Sequence, residues 1–131
     1  MDNYRPSIGT PIKDLDTPCL LIDMDALDHN YETVASTYKD TVVKMRQHSK
    51  NIKSPAIANI QIRKGGTVGG VCAAKISEAE VMVDGGIHDV LVTSQLPTKD
   101  KILRLCNLAK RADMKVVIDD PRNLRLISAI A

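Results

Sequence analysis

The stretch of this sequence that is richest in reactive side chains is RQHSKNIKSP, residues 46–55. It places Arg46, His48, Lys50 and Lys53 within eight positions. Cations crowded around a lysine disfavour its ammonium form, which is one route to a nucleophilic amine that forms a Schiff base. Spacing alone favours a solvated basic loop, with a reactive lysine as the alternative.

The position of this stretch relative to a predicted strand bears on that choice. An apolar run begins at residue 42, and a strand that continued to residue 50 would place Arg46, His48 and Lys50 on the same side. These side chains would then cluster at the carboxyl end of a strand, where α/β proteins with parallel sheets place their chemistry.

Short apolar runs along the chain predict five strands. Each has strand length and is separated from the next by a segment with helical spacing or caps. The predicted strands are residues 19–22, 42–48, 68–73, 90–93 and 115–118.

Helix start and stop signals lie between these strands. We predict N-caps at Asp25, Ser54, Thr98 and Asp120, with Pro55 and Pro121 at the first helical position. Ser77 and Glu80 have the spacing of a capping box. Helix stops are expected at Gly65 and Gly85-Gly86. Two of the predicted helices have an apolar stripe at helical spacing. The first stripe is Leu27, Tyr31, Val34 and Tyr38, and the second is Ile102, Leu105, Cys106 and Ala109.

The alternation predicts an α/β fold with about four strand–helix units and parallel pairing. Two architectures satisfy it, an open doubly wound sheet or an arc of a (β/α) barrel. The last predicted helix runs into Ala131 without a stop signal, so we expect the natural protein to continue.

Composition excludes several classes of function. The net charge of +2, from 18 basic and 16 acidic residues, provides no basic face for nucleic acid. Apolar runs are too short for a membrane span, and no signal peptide is recognisable at the N-terminus. Cys19, Cys72 and Cys106 match neither a disulfide framework nor a zinc motif, which favours a reducing, cytoplasmic location.

Three segments appear in an order that resembles the alanine-racemase-like pyridoxal-phosphate enzymes. They are TPCLLIDMDALDHNY, RQHSKNIKSPAIANIQI with its RxHxK core, and GGVCAAKISEAEVMVDGGIHDVLVTSQ. The subgroup that they resemble contains D-threonine aldolase, D-serine dehydratase and 3-hydroxy-D-aspartate aldolase. The resemblance covers residues 14–131.

This resemblance implies a fold and a set of site residues. The fold is a partial (β/α)8 TIM barrel of the alanine racemase N-terminal type, in which residues 1–25 form a lead-in and a strand joining a β domain, and residues 26–131 form half of the barrel. Lys50 carries pyridoxal 5'-phosphate as a Schiff base, and Lys53 matches a second lysine that does not. His48 and Arg46 are candidates for orienting Lys50 or the phenolic oxygen of the cofactor.

The implied activity is that of a lyase acting on a 3-hydroxy D-amino acid, by retro-aldol cleavage or by dehydration. The family also implies a divalent metal whose ligands are not in this chain, and a homo-oligomer. His29, His48 and His88 have no metal-ligand spacing. An isolated half barrel is expected to aggregate or oligomerise, because its strand edges are unpaired.

Departures from the family pattern leave alternatives open. Gln47 replaces a common proline, Ile52 a common histidine and Ala74 a common glutamine. The rival hypotheses are a truncated, non-catalytic relative and a small doubly wound module whose RQHSK loop binds phosphate or a partner. Strand order distinguishes the second rival, since a barrel arc runs in sequence order and a doubly wound sheet reverses.

Three other features have ordinary structural interpretations, and two further pairs of polar residues lie where chemistry is expected. The glycines at residues 65–70 do not match a dinucleotide fingerprint and predict a helix stop followed by a crowded strand start. Asp120 is expected to be a helix cap more than a catalytic acid, and Cys72 a small buried residue more than a pocket thiol. Ser94-Gln95 and Asp119-Asp120 follow predicted strands and therefore lie at the end where chemistry is expected.

Overall fold

The sheet of this protein is parallel and ordered as in the sequence. The structure is a computed structural model that describes residues 4–131. Its strands β1 (Met45–His48), β2 (Thr67–Ala73), β3 (Asp89–Val92) and β4 (Asp113–Val116) are neighbours in the order β1-β2-β3-β4, all parallel. An order without reversal is that of a barrel arc, so the doubly wound alternative is wrong for residues 4–131.

A helix precedes the sheet and one follows each strand. They are α1 (Met24–Thr37), α2 (Pro55–Lys64), α3 (Ile76–Asp84), α4 (Lys99–Ala109) and α5 (Pro121–Ile130). Within residues 4–131 no helix is long and apolar enough to cross a membrane.

The core lies between one face of the sheet and the helices. Val71, Val90 and Val92 are completely buried on that face and belong to one cluster with Met82 of α3 and Ile102 of α4. Full burial of such a side chain contributes about 1.5–3 kcal/mol. Strand residues alternate between faces, so the intervening residues lie on the opposite face of the sheet, which we call the open face.

Three strand predictions were wrong, one in existence and two in their bounds. Residues 19–22 are exposed and form no strand, because within residues 4–131 no neighbouring strand pairs with them. β1 begins at Met45 and not at Val42, whose side chain is completely exposed. β4 lies two residues before its predicted position, since Asp113 pairs in register with Asp89.

Three helices begin at the predicted N-cap residues. Ser54 Oγ accepts a hydrogen bond from the Ile57 N–H, Pro55 is the first helical residue, and α2 ends at Gly65 with a φ of 97°. Asp120 accepts from the Arg122 N–H and caps α5. Thr98 lies at the N-cap position of α4 but its side chain makes no cap hydrogen bond.

The other two caps were predicted at the wrong residues. Asp23 caps α1 in place of Asp25, by accepting hydrogen bonds from the N–H groups of Asp25 and Ala26 at 3.0 Å. The Ser77–Glu80 capping box does not form, because α3 begins at the buried Ile76 and Ser77 lies inside the helix. Glu78 instead accepts from the Ala74 N–H at 2.8 Å.

Candidate functional site

The turn that carries Lys50 is fixed to the neighbouring strand. Ser49, which is 5% exposed, directs both its N–H and its hydroxyl to the Cys72 carbonyl oxygen, each at 2.8 Å. The Ser49 carbonyl oxygen in turn accepts from the Lys53 N–H at 2.8 Å. These bonds attach the turn at residues 49–52 to the carboxyl half of β2 and so fix where Lys50 leaves the sheet.

Lys50 is exposed at the carboxyl end of β1. Within residues 4–131 its ammonium group makes no hydrogen bond and no ion pair, so its side chain is available to a ligand. The predicted strand geometry up to residue 50 was wrong, because β1 ends at His48 and the chain turns at Ser49. Lys50 contacts His48 through the Lys50 main-chain N–H and not through its ammonium group.

His48 lies between Lys50 and the end of β3. Its Nδ1 accepts a hydrogen bond from the Lys50 N–H at 3.3 Å, and its Nε2 lies 3.2 Å from Thr93 Oγ1. Thr93 Oγ1 also donates to the Ala73 carbonyl oxygen at 3.2 Å. The imidazole therefore connects the turn after β1 to the first residue after β3.

Arg46 lies on the open face and is bound by a carboxylate. Its Nη1 and Nη2 donate to the two oxygens of Asp89, each at 2.8 Å. This contact passes over β2 at Gly70, where a Cβ would lie 2.6 Å from Arg46 Nη1 and 2.3 Å from the Asp89 carbonyl oxygen. A glycine is therefore required at the crossing point.

Asp89 also binds a second cation on the open face, the ammonium group of Lys115. Lys115 Nζ lies 2.8 Å from Asp89 Oδ1 and also contacts Asp113. The hydrogen bonds from Arg46 hold the pKa of Asp89 below its ordinary value; burial opposes this effect and Lys115 adds to it. These ion pairs link β1, β3 and β4. We call the four residues the open-face ion network: Arg46, Asp89, Lys115 and Asp113.

Lys53 points to a carboxylate on α3. Its Nζ lies 3.3 Å from Glu78 Oε1, and its backbone φ is 56°. Burial disfavours the charged form of Glu78, but the Ala74 N–H and Lys53 outweigh this effect and hold its pKa below the ordinary value. Because carboxylates bind both Arg46 and Lys53, the cationic crowding around Lys50 expected from the sequence is weakened.

The remaining candidates lie around the same edge of the sheet. Gln95 donates to Asp119 Oδ2 at 2.9 Å, which joins the segments after β3 and β4. Cys72 is half-buried beside His48 in the register of β1 and β2, and burial raises the pKa of its thiol. No group of three or more His, Cys, Asp or Glu side chains with metal-ligand geometry occurs in the part of the chain that the structure describes.

Sequence reasoning missed three of these residues. Ser49 and Thr93 were counted only as members of apolar or basic stretches, and Asp89 had no recognised partner. The sequence signal for Thr93 was its position as a polar residue directly after a buried strand. Asp89 is 43 positions from Arg46, and only the strand register brings the two together.

Comparison with known proteins decides the family. Residues 22–131 match the model of the alanine racemase N-terminal domain. The chain belongs to this family. Its strand order and the parallel α/β alternation are those of a partial TIM barrel, as the sequence predicted.

The chain is similar to several individual enzymes of this family. The chain is 40% identical over 124 residues to 3-hydroxy-D-aspartate aldolase of Paracoccus denitrificans, covering 94% of this chain and 32% of that protein. It is 27% identical over 116 residues to D-threo-3-hydroxyaspartate dehydratase of Delftia sp. (strain HT23), covering 88% and 30% of the two proteins. The structure of D-threonine aldolase from Filomicrobium marinum superposes with a TM-score of 0.86 at 44% identity, over 91% of this chain and 32% of that one. The chain thus spans about a third of the length of these relatives.

Proposed function

We propose that the protein is a pyridoxal-phosphate-dependent lyase that cleaves the Cα–Cβ bond of a 3-hydroxy D-amino acid. The observation that carries this proposal is the position of Lys50, an exposed lysine without an ionic partner in residues 4–131, on a fixed turn at the carboxyl end of the first strand. The names of the aldolase relatives support the reaction and the class of substrate.

The residues around Lys50 fit the proposed cofactor. A free amine is the group that attaches to its aldehyde, and the unpaired side chain of Lys50 meets that requirement. His48 and Arg46 lie on the same strand and are proposed to border the bound ring; His48 lies nearer to Lys50, whereas Arg46 is bound to Asp89. When bound, the cofactor supplies an electron sink for cleavage at Cα.

The chain's own residues have defined tasks in this proposal. Ser49 is bound to Cys72 and the Lys50 N–H is bound to His48, so that the Lys50 side chain starts from a fixed point. The open-face ion network keeps β1, β3 and β4 in register beneath it. We propose that a divalent metal, which would bind the substrate hydroxyl, is held by residues outside this chain, and that residues 26–131 form part of the barrel domain.

Dehydration of the same class of substrate is the second candidate function, because a dehydratase is also among the relatives. The two reactions differ in their products. Cleavage of D-threonine gives glycine and acetaldehyde, whereas dehydration gives ammonia and a 2-keto acid.

The test is to incubate the full-length protein with pyridoxal phosphate, a divalent metal salt, and D-threonine or 3-hydroxy-D-aspartate, and to quantify all products. We expect glycine and the matching aldehyde in equal amounts, a loss of at least a hundredfold in Lys50→Ala, and near-normal turnover in Lys53→Ala. Ammonia and a keto acid as the only products would establish dehydration. Absence of any turnover would favour the non-catalytic alternative.

A further inference from the structure

We propose that Thr93 is a positioning residue that fixes the ring of His48 and, through that ring, the main chain at Lys50. This inference rests on the proposed role of Lys50 but concerns contacts within the chain. Thr93 follows β3 directly and lies two strands away from the lysine that it positions.

The Thr93 hydroxyl is itself fixed by its surroundings. The Thr93 N–H donates to the Ala73 carbonyl oxygen at 2.9 Å, and the hydroxyl donates to the same oxygen at 3.2 Å. Because its only proton is used in this bond, the hydroxyl oxygen faces His48 as an acceptor.

The direction of each hydrogen bond then determines the tautomer of the neutral imidazole. A main-chain N–H can only donate, so His48 Nδ1 accepts from Lys50 and carries no proton. The proton lies on Nε2, which donates to Thr93 Oγ1 at 3.2 Å. A chain of donors thus runs from Lys50 through His48 and Thr93 to the Ala73 carbonyl oxygen.

This arrangement assigns His48 a mechanical task. Both ring nitrogens have partners within the protein, so the ring presents a face and not a free nitrogen to the space beside Lys50. His48 therefore orients the turn and borders the site, whereas proton exchange with the Lys50 amine would require one of these bonds to break. Removing the Thr93 hydroxyl would leave the Nε2 proton without this acceptor, so that the ring is held less firmly, through the 3.3 Å bond from the Lys50 N–H.

The experiment measures the ring directly, by nitrogen NMR of the cofactor-free, full-length protein labelled with 15N-histidine. The variants are Thr93→Val, which keeps the shape and removes the hydroxyl, and Thr93→Ser, which keeps the hydroxyl. His48→Gln assigns the signals. We expect His48 to carry its proton on Nε2 in all three proteins, with the Nε2 signal unchanged in Thr93→Ser and shifted in Thr93→Val, where that proton loses its acceptor.

A second readout links the ring to Lys50. Equilibrium binding of pyridoxal phosphate should weaken about fivefold in Thr93→Val, as expected for one neutral hydrogen bond, and recover in Thr93→Ser. Equal His48 nitrogen shifts in the wild type and Thr93→Val would overturn the inference, and so would altered shifts with unaltered binding. If wild-type protein takes up no cofactor, the proposed function fails, and the NMR measurement still decides whether Thr93 positions His48.

Discussion

Arg46 and Asp89 form two hydrogen bonds of 2.8 Å although a complete strand, β2, lies between theirs. The contact is possible because Gly70 places no side chain beneath it. Both side chains are mostly shielded, with 19% and 24% of their surface exposed, so the pair is screened less than an ordinary surface ion pair. The turn that carries Lys50 and the open-face ion network thus both adjoin the strand β1.

Asp89→Asn should destabilise the protein at neutral pH by about 1–3 kcal/mol, because it weakens charged hydrogen bonds to Arg46 and Lys115. Urea denaturation measures this change in the free energy of unfolding. The matched control is Asp84→Asn, whose partner Arg111 is exposed and whose ion pair should contribute about 0–1 kcal/mol. Equal effects of the two substitutions would contradict the account.

The same ion network predicts a pH dependence of stability. Since the pKa of Asp89 is lower in the folded protein, its stabilisation is complete above the unfolded pKa of about 3.9 and is lost as the pH falls through the lower, folded pKa. Wild-type stability measured from pH 7 downward should therefore approach that of Asp89→Asn in acid below about pH 4. A difference that stays constant through this range would show that Asp89 acts by packing alone.

Gly70→Ala should destabilise the protein by about 2 kcal/mol or more, because its Cβ would lie 2.3 Å from the Asp89 carbonyl oxygen and something must move. Gly69→Ala is the comparison: a Cβ there meets open space, although the φ of 81° costs about 1–2 kcal/mol. Thermal unfolding of both variants tests the difference. A Gly70→Ala protein as stable as the wild type would mean that the Arg46 and Asp89 side chains do not meet over Gly70 as described.

Two serines separate a real helix cap from an apparent one. Ser54→Ala should cost about 1 kcal/mol, because Ser54 accepts from the Ile57 N–H, whereas Ser77→Ala should be neutral or slightly stabilising inside α3. Chemical denaturation of both variants provides the measurement. Loss of stability in Ser77→Ala would restore the capping box that the sequence predicted.

The three cysteines should react in a defined order. Cys19 is exposed and should be labelled first by a thiol reagent in the native state, whereas Cys72 is half-buried with a raised pKa and should react more slowly. Cys19→Ser should remove the fast phase. Under denaturing, non-reducing conditions all three should titrate as thiols, and a disulfide found by mass spectrometry would contradict the cytoplasmic location predicted from the sequence.

The sequence was informative where the signal is local. Proline and glycine fixed the ends of α2, and buried valines at strand spacing located β2 and β3. The apolar residues 19–22 were predicted as a strand because their composition is suitable, but a strand also needs a neighbour and the described chain provides none for them. The strand propensity of a segment does not show whether a neighbouring strand is present to pair with it.

The site shows the same division between local and long-range information. Lys50, His48 and Arg46 became candidates through strand parity and the family resemblance, whereas Thr93 and Asp89, the partners of His48 and Arg46, lie 43 or more positions away and depend on strand register. The turn after His48 was missed because the buried Ser49, which bonds to Cys72, looks like any loop serine in the sequence. Cross-strand contacts of this kind follow only from the assembled sheet.

The central claim is that Lys50, and not its neighbour Lys53, attaches pyridoxal phosphate. Lys50 has no ionic partner within residues 4–131, whereas Lys53 is paired with Glu78. The direct measurement is borohydride reduction of the full-length protein with pyridoxal phosphate bound, followed by peptide mapping of the wild type, Lys50→Ala and Lys53→Ala. The account predicts the cofactor on Lys50 alone, with no attachment in Lys50→Ala and full attachment in Lys53→Ala; label on Lys53, or spread over many lysines and unchanged in Lys50→Ala, would contradict it.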